Sequence, residues 1–268
     1  MKKIQKVFLS FIFLGFIFIL TACQQNDLAK QDSLKRAEQS KQIVWGVRND
    51  VRLFGLMNIK TGQAEGFDID MAKALTKEIL GNSGKPVFVE VAPKTRIPLL
   101  KNGNIDAIIA TMTITPERQK QVDFSDIYFH AGQSLLVKKD SKIHSINDLG
   151  ESTKILAAKG STGTVNIRKV APQAQVLEFE NYSECFTALK SHQGDAMTAD
   201  NAVLMGIASQ NPDYILTGGI FTKESYGIAV NKGQTVFIKK INQALEKLHK
   251  NGEYDQIYSK WFGKVAQN

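Results

Sequence analysis

The chain has 268 residues, 43% hydrophobic and 22% charged, with a formal net charge of +8. Those values suit a globular protein of one large domain or two modest ones. The positive charge is scattered rather than gathered into blocks, which argues against a nucleic-acid-binding role.

Lys2, Lys3 and Lys6 precede a continuous apolar run from Val7 to Leu20, and Thr21-Ala22-Cys23 follows it. A basic start, an apolar stretch and small residues at its end describe a secretory signal over 1–22. The run is shorter than the ~20 residues a membrane span needs. Leu20-Thr21-Ala22-Cys23 resembles the bacterial lipobox, in which the cysteine is lipidated and becomes the mature N-terminus. A membrane-anchored protein on the extracytoplasmic face is therefore expected, held through lipidated (palmitate-bearing) Cys23. Removing 1–22 takes away three lysines and no acids, so +8 becomes +5. Residues 23–40 are polar and read as a flexible tether. Cys185, at an apolar helical spacing, reads as a buried structural thiol.

From Ile43 onward strands and helices alternate. QIVWGV (42–47) reads as a strand. Gly66-Phe67-Asp68 opens a helix, with Asp68 as its cap and Ile69, Ala72, Leu75 and Ile79 on one face. Residues 86–91 form a strand and 93–103 a short helix. Asn104–Ala110 reads as a buried strand leading into ATMTITPER (110–118). There Thr115 caps a helix that begins with Pro116. The order then repeats: strands at 134–139, 154–159, 176–180 and 194–200, with a small-residue loop over 160–164 opening a helix to about Lys169 and a second helix from Tyr182 to His192. Two α/β units in one chain imply two lobes. The C-terminal part is helical. Phe237, Ile241, Ala244, Leu245 and Leu248 share one face, and Tyr254, Ile257, Tyr258 and Trp261 form a second packing stripe.

No nucleophile elbow, HExxH or paired-cysteine metal motif is present, and His130, His144, His192 and His249 are scattered. No cofactor, metal or catalytic residue is expected. Ligands of open α/β sheets bind beyond the carboxyl ends of the strands. Four such ends carry polar residues: Arg48, then Thr113 with Arg118, then Ser161-Thr162-Gly163 at a helix N-terminus, then Asp200. Singly each reads as a corner, a turn or a cap. Together they describe an anion clamp with a cation acceptor, which matches an α-amino acid zwitterion.

Gly66-Phe67-Asp68-Ile69-Asp70, ATMTITPERQKQVDFSDIYF, KGSTGT, GDAMTAD, ESYGIAV and NGEYDQIYSKWFG resemble the polar amino-acid solute-binding proteins of ABC importers, from about Ile43 to Gly263. That resemblance implies an α/β fold of two lobes, the type II periplasmic-binding-protein architecture, with a two-segment hinge. Lobe 1 would hold 41–129 and 227–268, and lobe 2 would hold 132–223, with crossings near 130–132 and 223–225. It also implies a monomeric receptor that closes on an amino acid and delivers it to a permease. By position, Arg118 would hold the α-carboxylate with Thr162 and Gly163. Asp200, Thr113 and the carbonyl of Ala110 would take the ammonium, and Phe67 would line the apolar part of the ligand. Thr111 stands where the family often has glycine. Arg48 and Arg96 resemble the pattern of the glutamate/aspartate-binding members, because a second carboxylate removed from water needs compensating charge. Glutamine is the alternative ligand, and a dehydratase on the same fold is the enzymatic alternative.

Overall fold

The computed structural model describes residues 31–263. The signal segment and Cys23 lie outside them. In chain order the elements are α1 (Ser33–Ser40), β1 (Gln42–Val47), β2 (Asp50–Val51), β3 (Gly55–Asn58), β4 (Gln63–Glu65), α2 (Phe67–Leu80), β5 (Lys85–Glu90), α3 (Arg96–Lys101) and β6 (Ala107–Ile108). Next come α4 (Pro116–Gln119), β7 (Val122–Ala131), β8 (Gln133–Lys138), a 3₁₀ turn (Ile146–Asp148), β9 (Lys154–Ala158), α5 (Thr162–Val170) and β10 (Gln175–Phe179). The chain continues through α6 (Tyr182–Lys190), β11 (Ala196–Asp200), α7 (Asn201–Ala208), β12 (Tyr214–Thr217), β13 (Glu224–Asn231), α8 (Thr235–Lys250) and α9 (Glu253–Phe262).

Two five-stranded sheets result, ordered β5-β1-β6-β13-β7 and β10-β9-β11-β8-β12, beside a small β2-β3-β4 sheet. In the first sheet β1 pairs in parallel with both β5 and β6. Ile43, Trp45 and Val47, which share one face of β1, are fully buried. Helix α2 buries Ile69, Ala72 and Leu75 at helical spacing, and α8 buries Phe237, Ile241, Ala244, Leu245 and Leu248. The chain passes between the sheets twice. β7 runs straight into β8, and β12 returns into β13.

The crossings lie against one another. Gln133 N donates to Thr222 Oγ1 at 2.9 Å, and Phe221 N donates to Gln133 O at 3.0 Å. A Cβ on Gly132 would stand 2.4 Å from the Thr222 carbonyl oxygen, so only glycine permits this approach.

Three expectations are corrected. Residues 33–40 are helix rather than tether. Asp32 caps that helix, Leu34 and Ala37 are buried, and Arg36 pairs with the Asp106 carboxylate. Asp68 is not the cap of α2. It sits inside the first turn, fully buried, and Gly66 holds the cap position. The strand expected over 104–110 shrinks to Ala107–Ile108. On the near side Asp106 Oδ2 accepts from Val44 N at 2.8 Å, replacing a ladder bond with a side chain. On the far side Thr111 adopts φ 47°, which turns the chain out of the sheet. The β2-β3-β4 sheet and strands β7, β12 and β13 have too little alternation of their own to be read from sequence.

Candidate functional site

The TMTITPER corner folds locally as its residues dictate. Thr115 Oγ1 accepts from Arg118 N at 3.2 Å, and Pro116 takes the first helical position. Thr111 is a β-branched residue in the left-handed region, a conformation that costs energy and that glycine adopts freely. Its N–H donates to Asp68 Oδ2 at 3.1 Å, and Tyr128 OH donates to Asp68 Oδ1 at 3.0 Å. Asp68 thus anchors the bend. Burial lifts its carboxyl to about 7, against the pull of Tyr128, Thr111 and Arg96.

Arg118 lies at the junction of the two sheets. Its Nη1 donates to Thr113 O at 2.7 Å within the first lobe, and its Nη2 donates to Gly160 O at 3.1 Å in the second. Gly160 itself has φ 74°, and a Cβ there would stand 3.0 Å from Lys94 Cα across the junction. Arg118 and the Gly160–Thr162 loop line a cavity of about 630 Å³ at the mouth of the cleft. Burial holds the Arg118 guanidinium below its usual range, opposed by Tyr182 and Asp200.

From the second lobe, Thr162 starts α5, and its Oγ1 accepts from Gln133 Nε2 at 3.1 Å. Gly163 is buried beside it, and Ser161 Oγ is buried without a protein partner. The first-turn N–H groups of α5 carry no side-chain cap, so they remain donors for an anion. Asp200 occupies the cap position of α7 but does not cap it. Its Oδ2 accepts from Tyr226 OH at 2.5 Å instead, joining β11 to β13. Burial raises the Asp200 carboxyl to about 7. Glu224 adds to the rise, while Tyr226 and Arg118 oppose it.

Of the two further arginines, Arg48 is ion-paired and Arg96 is bound to a neutral backbone carbonyl. Arg48 makes a bidentate pair with Asp50, Nε to Oδ1 at 2.8 Å and Nη2 to Oδ2 at 2.7 Å. Asp50 Oδ2 also accepts from Tyr182 N at 3.0 Å, and the Arg48 guanidinium lies 5.2 Å from the Tyr182 ring centroid. Arg96 Nη1 donates to Ala110 O at 2.7 Å. The Ala110 carbonyl assigned to the ammonium therefore already holds one donor, with a second lone pair left. Burial, with Arg118 and Arg48 nearby, pushes the Arg96 guanidinium well below its usual range. Phe67 is fully buried among Phe54, Tyr128, Phe129, Tyr254, Tyr258 and Phe262. Its ring belongs to the aromatic core behind the cleft, not to a ligand-facing wall.

Arg118, Thr113, Thr162, Gly163, Asp200, Arg96 and Arg48 thus gather at one junction. Reading the sequence missed Asp50, Asp68, Tyr182, Gln133 and Glu224. Asp50 alone carried a local signal, since residues two apart on an extended chain share a side.

A model of the bacterial extracellular solute-binding proteins, family 3, matches residues 43–264. The chain belongs to that family. It is 56% identical over 268 residues to the ABC transporter glutamine-binding protein of Bacillus subtilis (strain 168), covering 97% of each chain. It is 56% identical to a glutamine-binding protein of Geobacillus stearothermophilus, covering 80% of this chain and 81% of that one. Among solved structures, an ancestral arginine-binding protein bound to glutamine aligns with a TM-score of 0.78 at 43% identity, covering 83% of this chain and 98% of that one. The two-lobed fold is that of the type II periplasmic binding proteins. No helix among the described residues is long and apolar enough to cross a membrane.

Proposed function

We propose that this solute-binding protein captures L-glutamine by lobe closure and passes it to the permease of an ABC importer, with no bond made or broken. Arg118, Thr162 and Gly163 hold the α-carboxylate, and Asp200 with Thr113 takes the ammonium. The planar fork of Arg118 suits a carboxylate, and the open N-terminus of α5 adds backbone donors. Closure follows because the ligand bridges groups of both lobes, which is differential affinity for one conformer.

One observation carries the choice of ligand: the bidentate Arg48–Asp50 pair. A second ligand carboxylate taken out of water needs an uncompensated cation beside it. Arg48 is neutralised by its own neighbour, and Arg96 is turned onto the Ala110 carbonyl. A neutral carboxamide needs no such cation. The names of the two relatives at 56% identity point the same way, against the acidic preference drawn from the arginines alone. The dehydratase alternative has less support. Both oxygens of Asp68 are engaged, and Asp200 is the counter-charge for the ammonium.

Calorimetric titration of the purified protein is expected to give tighter binding of glutamine than of glutamate or aspartate, by roughly tenfold or more, which corresponds to ~1.4 kcal/mol. Tighter glutamate binding would overturn the reading. The receptor is further proposed to be a monomer tethered to the membrane through lipid on Cys23. Mass spectrometry should find an acylated N-terminal cysteine, and Cys23→Ala should move the protein from the membrane fraction to the soluble fraction. An alanine variant that stays with the membrane would count against the anchor.

A further inference from the structure

Asp50, partly buried, accepts three hydrogen bonds from two partners. Its carboxylate holds Arg48 in two hydrogen bonds and accepts the first-turn N–H of Tyr182 on α6 in the other lobe. Arg48 is only 1% exposed, and its remaining nitrogen, Nη1, is buried without a protein partner. The Tyr182 ring packs against this pair. The Arg48 guanidinium is 5.2 Å from its centroid, and its phenol is electrostatically coupled to Asp200 and Arg96. Arg48 thus shares the surroundings of Tyr182 with the clamp residues Asp200 and Arg96, and it is here that the far end of a glutamine-length side chain is placed. Arg48 Nη1 offers that end a donor that carries no net charge once Asp50 is counted.

We infer that Asp50 is the residue that sets amide over acid at this site, by neutralising Arg48 where the ligand side chain ends. This rests on the glutamine reading above, because it assigns the cause of that preference. The physical contrast is direct. With Asp50 ionised, a ligand carboxylate meets an anion beside the Arg48 cation. With Asp50 uncharged, the same carboxylate meets a buried, unopposed guanidinium, which is costly to leave alone and favourable to pair.

The test is calorimetric titration of glutamine and glutamate into the wild type, Asp50→Asn, Arg48→Gln and the Arg48→Gln/Asp50→Asn double variant, with thermal unfolding to confirm folding. Asp50→Asn should raise the glutamate-to-glutamine affinity ratio by about tenfold or more, the change that ~1.4 kcal/mol makes. Arg48→Gln should lower the same ratio, because it leaves the Asp50 carboxylate unopposed. The double variant should return near the wild-type ratio. A ratio that stays put in a folded Asp50→Asn protein overturns the inference. If that variant does not fold, a ratio that fails to drop in Arg48→Gln does so instead. A wild type that prefers glutamate would sink the glutamine reading alone. The opposite shifts in the two single variants would still judge Asp50.

Discussion

Arg118→Ala is expected to remove detectable binding of every amino acid, a loss of about 4 kcal/mol or roughly a thousandfold, because it strips the partner from a buried ligand carboxylate. Two properties of Arg118 make the effect large. Its two nitrogens reach opposite lobes, Thr113 O on one side and Gly160 O on the other. On the proposed reading alanine removes a carboxylate partner together with a lobe-to-lobe bond. Arg118→Lys should lose most of the affinity as well, since an ammonium cannot present two parallel donors. Circular dichroism and thermal unfolding separate lost binding from lost folding. A folded Arg118→Ala protein with near-normal affinity would show that the carboxylate sits elsewhere.

The second large effect is on pH. The Asp200 carboxyl is raised to about 7, chiefly by burial, and only its ionised form is a counter-charge for the ligand ammonium. Affinity should hold above neutrality and fall as the pH drops through 7, approaching roughly tenfold per unit below it. Stability without ligand should move the other way. Asp68 and Asp200 both have folded-state values of about 7 against an ordinary 3.8 in the unfolded chain. The folded protein therefore binds more protons than the unfolded chain between those limits. Their contribution is fully present below about 3.8 and is lost as the pH rises through about 7. Asp200→Asn should weaken binding at every pH and flatten the profile. A wild-type affinity that stays level through this window would remove Asp200 from the ammonium site.

Parts of this site were legible because they are local. Thr115, Pro116 and Arg118 encode their corner within four residues, and β1, α2 and α8 announce themselves by period. The arrangement of charges was not legible. Tyr182 meets Asp50 across 132 residues, and Asn166 meets Glu224 across 58. Counting Arg48 and Arg96 as free cations gave an acidic ligand. Only the folded chain reveals that a carboxylate two residues away and a backbone carbonyl fourteen residues away already occupy them. Phe67 was misread for a similar reason. Its position at the start of α2 and the aromatic stripe of the C-terminal helix are both visible in sequence, but the docking of that helix over Phe67 through Tyr254, Tyr258 and Phe262 is not.

The paired crossings at Gly132 and Thr222 bear on how capture proceeds. Two chain segments bound side by side tie the lobes at two points, so the lobes cannot wander apart as beads on a single thread would. Once the first lobe has taken an amino acid, the second half of the clamp stays within reach at a high effective concentration. The second contact is then a unimolecular swing rather than a new encounter.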